Sequence, residues 1–393
     1  MSWELVTEQQ QLAERIREWT GADILALDTE FIRVDTFNPR VALVQVNARD
    51  RVSLVDPLAV DIGELGRILA DPERLKIFHA CGEDIEIFNL LFPTQPITRI
   101  FDTQTGLAFL GYGAQIGYQK ALQECLGIAI SKAETRSDWL MRPLSPEQLQ
   151  YAALDVQYLP ALYAFLRERL EARGLLSWCE ADCDLILRDL GEAPDLKSMY
   201  RHFSNAWRYS RQQLALLQML TIWREGAARI HNIPRTFVLK NHTLLDIVER
   251  RPQTLAALSR IQDLHPRTYQ KHGPMILQLV KQAGEKPEAQ CPPLLPLPLP
   301  RNAKGLYDQL RAVSDEVARE YGLPSEVLLR KKWLDALVLG FVDQGESAPL
   351  PAALQGWRYD ILARPLLAVL HDEVKRIAEW RSYRHREDHE HQT

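Results

Sequence analysis

Strand-like segments are confined to the first part of this chain, which limits the folds that it can adopt. Four short runs rich in aliphatic and β-branched residues, each bounded by turn residues, predict strands at residues 23–31, 41–47, 51–56 and 75–80. Helical patterns lie between and after these runs. Closely spaced strands followed by helix–strand alternation predict an α/β domain whose sheet is mixed rather than purely parallel.

The clearest helix signal covers residues 145–169. Ser145 and Gln148 stand at capping-box spacing, and Pro146 occupies the first helical position, where its missing N–H costs nothing. Pro160 cannot donate a helical hydrogen bond, so it predicts a kink or a division of this helix. Gly174 is a plausible end of the α/β domain.

From residue 207 onward only helical patterning remains, with breaks that predict a bundle of about five short helices. The stretch 291–300 holds five prolines, which favour an extended linker. We therefore predict an α/β domain (1–174), a connecting segment (175–206), a helical domain (207–285), a Pro-rich linker (286–303), a second helical domain (304–381) and a disordered tail (382–393).

Composition indicates a cytoplasmic protein without a membrane partner. No apolar run reaches the roughly 18–20 residues that span a bilayer, and the N-terminal residues lack the pattern of a secretion signal. The five cysteines are scattered without zinc-finger spacing, which is typical of reduced thiols in a reducing compartment.

The net charge of −5 conceals an uneven distribution along the chain. Residues 1–174 carry 17 Lys and Arg against 25 Asp and Glu, and residues 175–200 carry 2 against 6. Residues 201–285 carry 13 against 5, a net +8, whereas residues 286–393 are nearly balanced. This split predicts that the acidic part holds cations and that the basic helical part attracts a polyanion.

Acidic residues occur on three predicted elements that could meet at one site. Asp28 and Glu30 are two apart at the end of an apolar strand, so both point to the same side. Asp84 begins a helix after the strand at 75–80, while Tyr151 and Asp155 share one helix face. An isolated Asp-x-Glu pair usually just starts a polar loop, but four carboxylates together offer the oxygen ligands that Mg²⁺ or Mn²⁺ prefers.

Three segments resemble the exonuclease motifs of the DEDD 3′→5′ exonucleases, tyrosine subclass: 27–31 (LDTEF), 79–84 (HACGED) and 151–155 (YAALD). The intervening segments 101–104, 137–139 and 142–144 are similar to the ribonuclease D family. Residues 207–283 resemble an HRDC domain, and residues 304–380 resemble a more divergent second one. The resemblance therefore covers almost the whole chain.

The resemblance implies a ribonuclease-H-like fold with two divalent metal ions (Mg²⁺ or Mn²⁺) at the acidic site. By carry-over, Asp28 bridges both ions, Glu30 and Asp155 complete the first, and Asp84 supports the second, partly through water. Tyr151 would orient the attacking water, and nucleoside 5′-monophosphates would leave one at a time from the 3′ end.

The resemblance also implies a substrate. The expected activity is an exoribonuclease that trims the 3′ ends of tRNA precursors, acting as a monomer, with the helical domains holding the folded RNA. Two alternatives stay open: a 3′→5′ DNA exonuclease in repair, and a non-catalytic nucleic-acid-binding protein. No helicase motifs accompany the chain.

Three further residues are candidate substrate contacts. Phe31 could stack on terminal bases or pack in the core, and His79 could reach a phosphate or serve a structural role. Gln45 lies in an apolar strand, where it could contact substrate or satisfy backbone groups. The sequence assigns no role to three residues of the family-like segments: Asp102, Trp139 and Arg142.

Overall fold

The structure is a computed structural model that describes residues 3–130 and 137–385. The chain divides into two compact units. Unit 1 comprises the described residues of Met1–Ile32, Val41–Glu192 and Asn302–Ala378. Unit 2 comprises the described residues of Arg33–Arg40, Ala193–Arg301 and Glu379–Thr393. No helix among the described residues is long and apolar enough to cross a membrane.

Unit 1 contains a six-stranded mixed sheet, as the sequence predicts. Its strands are β1 (Trp3–Val6), β2 (Ile24–Ile32), β3 (Arg40–Ala48), β4 (Arg51–Val55), β5 (Leu75–Phe78) and β6 (Ile100–Asp102). They are ordered β1-β4-β3-β2-β5-β6. The pair β3–β4 is antiparallel, whereas β1–β4, β2–β5 and β5–β6 are parallel. The sequence analysis missed the two edge strands β1 and β6, which have four and three residues.

The helices of the α/β part are α1 (Gln9–Thr20), α2 (Leu65–Leu69), α3 (Gly82–Leu91), α4 (Thr103–Phe109), α5 (Tyr118–Leu126), α6 (Pro146–Gln157), α7 (Leu159–Ala172) and α8 (Leu176–Gly191). Leu25, Leu27 and Val44 pack into one hydrophobic cluster on one face of the sheet. Because side chains alternate along a strand, Asp28 and Glu30 project from the opposite face of β2.

The predicted helix at 145–169 is present and is divided, as Pro160 predicts. Helix α6 ends at Gln157 and α7 begins at Leu159, with Pro160 in its first turn, where a missing N–H is tolerated. The capping box at the start of α6 is formed: the Gln148 backbone N–H donates to Ser145 Oγ at 3.2 Å, and the Gln148 side chain accepts from the Ser145 N–H.

Residues 302–378 pack within unit 1 and contain α14 (Lys304–Tyr321), α15 (Ser325–Leu328), α16 (Lys331–Gln344), a π-helical turn (Tyr359–Ala363) and α17 (Arg364–Asp372). Their contact with α8 is a buried ion pair: two nitrogens of Arg358 donate to the two carboxylate oxygens of Asp182, each at 2.6 Å. Beside it, Trp357 stacks on Trp178 with ring centroids 4.6 Å apart. A fork-to-fork pair of this kind fixes orientation as well as distance.

Unit 2 is helical and contains α9 (Arg211–His231), α10 (Arg235–Val238), α11 (Asn241–Arg250), α12 (Leu255–Leu258) and α13 (Pro266–Glu285). The chain breaks predict about five short helices here; five are present, but α9 and α13 have 21 and 20 residues and are longer than predicted. The Pro-rich segment that follows has two 3₁₀ turns, Glu288–Gln290 and Arg301–Ala303, and contains no other helix or strand.

The last helix, α18 (Val374–Arg384), ends inside the segment predicted as a tail. Its C-terminal residue Arg384 exchanges two hydrogen bonds with the backbone of Leu297 in the Pro-rich segment. The rest of the predicted tail, residues 386–393, lies outside the described residues.

Candidate active site

Strand β2 carries the first two acidic residues. Asp28 and Glu30 share the sheet face opposite the hydrophobic cluster, and both are half-buried. One carboxylate oxygen from each lies within 4.8 Å of the other and of an oxygen of Asp155 on α6. These three residues form the group of carboxylates among the described residues that could hold a metal ion.

Asp84 joins this group from helix α3. It lies in the first turn of the helix, where the N-terminal end of the helix dipole favours a negative charge. The hydroxyl of Thr29, between the two acidic residues of β2, donates to the Asp84 carboxylate at 2.5 Å. Thr29 thus ties the buried Asp84 to the strand that carries Asp28 and Glu30.

Helix α6 supplies the phenol. Tyr151 and Asp155 are one helical turn apart, so their side chains lie on the same face of α6. The ring of Trp139 packs beside Tyr151, with centroids 6.1 Å apart. The elements predicted to carry the site therefore converge: β2, α3 and α6 bring their acidic residues to one place.

Burial and mutual repulsion make the ionised forms of these residues unfavourable. Burial, followed by the charges of Asp28 and Asp155, raises the pKa of Glu30 to about 10. Burial raises the pKa of Asp155 to about 7, although the neighbouring Tyr151 phenol opposes the shift. The pKa of Asp28 is raised by burial and by Asp155, and that of Asp84 by burial and by Asp28.

The donor set fits a hard divalent cation. Carboxylate oxygens are the ligands that Mg²⁺ and Mn²⁺ prefer, and a cation between them would turn repulsion into attraction. The described residues near the cluster supply no competing cationic side chain that bonds to Asp28, Glu30 or Asp155. The arrangement is therefore suited to metal-assisted chemistry on an anionic substrate.

Comparison with known proteins decides the family. A 3′–5′ exonuclease family matches residues 3–171, and the HRDC domain family matches residues 213–280. Ribonuclease D of Pseudomonas paraeruginosa is 40% identical over 366 residues, which cover 93% of this chain and 96% of that protein. The chain belongs to the ribonuclease D family. It is a 3′–5′ exoribonuclease, as the sequence motifs predict.

Solved structures agree with this membership of the ribonuclease D family. The crystal structure of Escherichia coli RNase D, described as an exoribonuclease involved in structured RNA processing, superposes with a TM-score of 0.89 at 30% identity. The match covers 95% of this chain and 99% of that one. The catalytic core of RRP6 from Trypanosoma brucei has a TM-score of 0.57 at 21% identity and shares the fold.

The three candidate substrate contacts have different surroundings in this ribonuclease D family member. Phe31 is half-buried at the end of β2. Gln45 is completely buried, and neither polar atom of its side chain has a hydrogen-bond partner among the described residues. His79 is bonded at both ring nitrogens, Nδ1 to Thr103 Oγ1 at 2.9 Å and Nε2 to the Ile116 carbonyl at 3.0 Å.

Asp102 and Arg142, whose roles the sequence leaves open, position parts of the site. Asp102 caps α4 by accepting from the Gln104 N–H, and it also accepts from the Ala80 N–H, which fixes the turn before α3. Arg142 donates to both carboxylate oxygens of Asp56, at 2.6 and 2.8 Å. This pair holds the segment that leads into α6.

Two residues at the site escaped the sequence analysis. Thr29 was only the middle residue of a motif, and its bond to Asp84 spans 55 positions of sequence. Tyr118 begins α5, and its ring packs against His79, which directly follows β5. Neither contact follows from local spacing, because each joins elements that only the folded chain brings together.

Proposed function

We propose that this exoribonuclease works with two divalent metal ions, Mg²⁺ or Mn²⁺, and trims the 3′ ends of tRNA precursors. The observation that carries the metal proposal is the cluster of Asp28, Glu30 and Asp155 oxygens within 4.8 Å, joined by Asp84 through Thr29. Asp28, Glu30 and Asp155 would hold one ion, and Asp84 with Asp28 the other. Bound ions would activate water and stabilise the charge that develops on the phosphate.

The protein's own residues supply the positioning. Tyr151 shares one face of α6 with Asp155, which places its phenol at the edge of the acidic cluster. A free phenol has a pKa near 10, and burial and the charge of Asp155 raise the pKa of Tyr151 further. Tyr151 therefore aligns the attacking water by hydrogen bonding rather than by taking its proton.

The proposed RNA contacts lie in unit 2, within the HRDC match. Several of its exposed basic side chains form no ion pair among the described residues: Lys240, Arg250, Arg251, Arg260, Arg267 and Lys271. Unpaired surface cations bind phosphates by releasing counterions, without regard to base sequence. Most aromatic rings of this unit serve the core instead: Tyr209 is buried, and Trp223 and Tyr269 pack against the same cluster.

The remaining parts of the proposal concern residues 304–380 and the setting in which the enzyme works. We propose that these residues are a second, divergent HRDC-like domain whose role is to brace the exonuclease domain through the Asp182–Arg358 pair. The five cysteines are all free thiols, which supports a reducing compartment such as the cytoplasm. We also propose that the enzyme acts as a monomer.

A 3′-labelled tRNA precursor tests the function. We expect mononucleotide release that requires Mg²⁺ or Mn²⁺ and stops with EDTA, with the precursor outcompeting single-stranded DNA of equal length. Metal-independent release would overturn the metal proposal, and a preference for DNA would favour the repair alternative.

A variant of the same enzyme tests the RNA surface. A triple variant with Ser in place of Arg260, Arg267 and Lys271 should bind the precursor more weakly. The slope of the logarithm of its binding constant against the logarithm of the salt concentration should fall by about 2 to 3. Lys304→Ser, an exposed cation of unit 1, is the matched control and should leave the slope unchanged. An unchanged slope in the triple variant would contradict the proposed surface.

A further inference from the structure

Tyr118 places a second phenol beside the acidic cluster, outside the three motifs. It is the first residue of α5, and its ring packs against the ring of His79 with centroids 5.4 Å apart. Its hydroxyl oxygen is buried and has no hydrogen-bond partner among the described residues. Buried polar groups are almost always paired, so an unpaired hydroxyl at a site needs a functional explanation.

The fold brings this phenol to the acidic cluster. Its ring packs on His79, which directly follows β5, and β5 pairs with β2 up to Ile77 and Ala26, two residues before His79 and Asp28. Burial, followed by the charge of Asp155, raises the pKa of Tyr118. A phenol with an ordinary or raised pKa is protonated at neutral pH and has a hydrogen to donate. An acceptor oxygen that enters the cluster would satisfy it.

Tyr118 and Tyr151 reach the cluster from different helices. Tyr151 stands one turn from Asp155 on α6, inside a motif, whereas Tyr118 begins α5, outside the motifs. The Tyr118 hydroxyl has no hydrogen-bond partner among the described residues, so its hydrogen is available to a bound substrate.

His79 keeps the Tyr118 ring in place. Both nitrogens of His79 are bonded within the protein, to Thr103 Oγ1 and to the Ile116 carbonyl. Because the imidazole cannot rotate without breaking these bonds, it is a rigid support for the neighbouring ring. A rigid support lowers the cost of holding a donor in the geometry that a reaction needs.

We propose that Tyr118 is an additional active-site residue whose hydroxyl donates a hydrogen bond to a reacting oxygen, either of the attacking water or of the scissile phosphate. His79 is the positioning residue for Tyr118. The proposal rests on the function proposed above, because it needs a phosphodiester to occupy the cluster. It uses a side chain that neither the motifs nor the carboxylate set includes.

Tyr118→Phe tests this role because it removes only the oxygen and keeps the ring on His79. We expect the single-turnover rate of 3′-nucleotide release from a short single-stranded RNA to fall about tenfold, the effect of one hydrogen bond. We expect the melting temperature to stay the same or rise, because an unpaired buried hydroxyl is lost.

A second measurement separates the two acceptors. Binding of the same RNA is measured in an Asp28→Asn background, with and without Tyr118→Phe. Unchanged affinity together with the slower rate assigns the bond to the attacking water, and weaker affinity assigns it to the phosphate. Either result supports the proposal.

Tyr163→Phe is the matched control. Tyr163 is also largely buried in unit 1, but its ring packs edge-on against Phe101 at 4.9 Å, and none of the site carboxylates acts on it. It should keep the wild-type rate. A Tyr118→Phe rate within twofold of wild type, or a loss matched by a lower melting temperature, would overturn the proposal. Failure of the wild-type enzyme to cleave the RNA would instead refute the proposed function.

Discussion

Carboxylates that are half or fully buried occur in both units, and their surroundings are opposite. In unit 1, Asp28, Glu30 and Asp155 face one another. In unit 2, the Glu225 side chain is 1% exposed and is enclosed by arginines. The three carboxylates of unit 1 repel one another when they are ionised, whereas the charge of Glu225 is compensated by arginines of the same protein.

Two arginines compensate Glu225. Arg229 Nη2 lies 2.8 Å from its Oε1, and Arg235 bonds to both of its oxygens. The ring of Phe37 lies 4.8 Å from each of the two guanidinium carbons, which adds cation–π contacts on the same charges. Burial alone would raise the pKa of Glu225, but the arginines outweigh it and lower the pKa.

The comparison shows how to distinguish a structural buried acid from a functional one. A structural acid brings its own counter-charge, so its pKa falls and the fold gains stability from the pair. A functional acid leaves its charge uncompensated by protein, so its pKa rises until a ligand arrives. Three experiments test this difference between the two kinds of buried acid.

The largest effect is expected on catalysis. Asp28→Asn or Asp155→Asn should lower the rate of RNA hydrolysis on the order of 10³-fold, since each removes a charge that would hold a divalent ion. Affinity for RNA should persist, because the proposed RNA contacts lie in unit 2. Asp23→Asn, an exposed neighbour just before β2, is the matched control and should keep full activity. Full activity in either site variant would refute the metal assignment.

A smaller effect is expected on stability when metal is added. Mg²⁺ at 100 times its Kd should stabilise the wild-type protein by about 2.7 kcal/mol, because a ligand that binds only the folded state shifts the unfolding equilibrium. Thermal unfolding in EDTA and in Mg²⁺ measures this shift. Asp28→Asn should lose the shift and Glu225→Gln should retain it. Equal metal stabilisation of all three proteins would place the ion elsewhere.

The smallest effects are expected on metal-free stability, and their signs should be opposite. Glu225→Gln should destabilise the fold at pH 7 by about 2 kcal/mol. This loss is smaller than the one expected from breaking a fully buried ion pair, because both arginines are half exposed. Asp28→Asn in EDTA should stabilise it by on the order of 1 kcal/mol, since a repelled charge is removed. Denaturant unfolding measures both changes.

The pH dependence of these two changes follows from the direction of each pKa shift. The lowered pKa of Glu225 means that its stabilisation is present above the usual glutamate pKa and is lost as the pH falls through its folded value. The raised pKa of Asp28 means that its ionisation is destabilising above the usual aspartate pKa. For each variant, the difference in free energy of unfolding from the wild type should therefore shrink towards acidic pH. If both variants changed the stability in the same direction at pH 7, that result would contradict the contrast.

Local sequence patterns predicted much of the fold. Strands β2 to β5, the capped helix α6 and its division before Pro160 depend on side-chain periodicity and on proline chemistry, which neighbouring residues determine. The sequence analysis missed β1 and β6, which lie at the two edges of the sheet and pair with β4 and β5. The packing of residues 302–378 against α8 also lacks a local signal, since Asp182 and Arg358 are 176 positions apart.

For the site, the sequence by itself determined the chemistry: Asp28, Glu30, Asp84, Tyr151 and Asp155 stand in motifs whose order and spacing specify the ribonuclease D family. Only the tertiary structure decided which groups surround them. It joins Asp84 to Thr29, and it packs Tyr118 against His79 with a hydroxyl that has no partner among the described residues. The physical reason is that burial and electrostatic interaction depend on distance in space, and residues far apart in sequence acquire those distances only when the sheet and its helices pack.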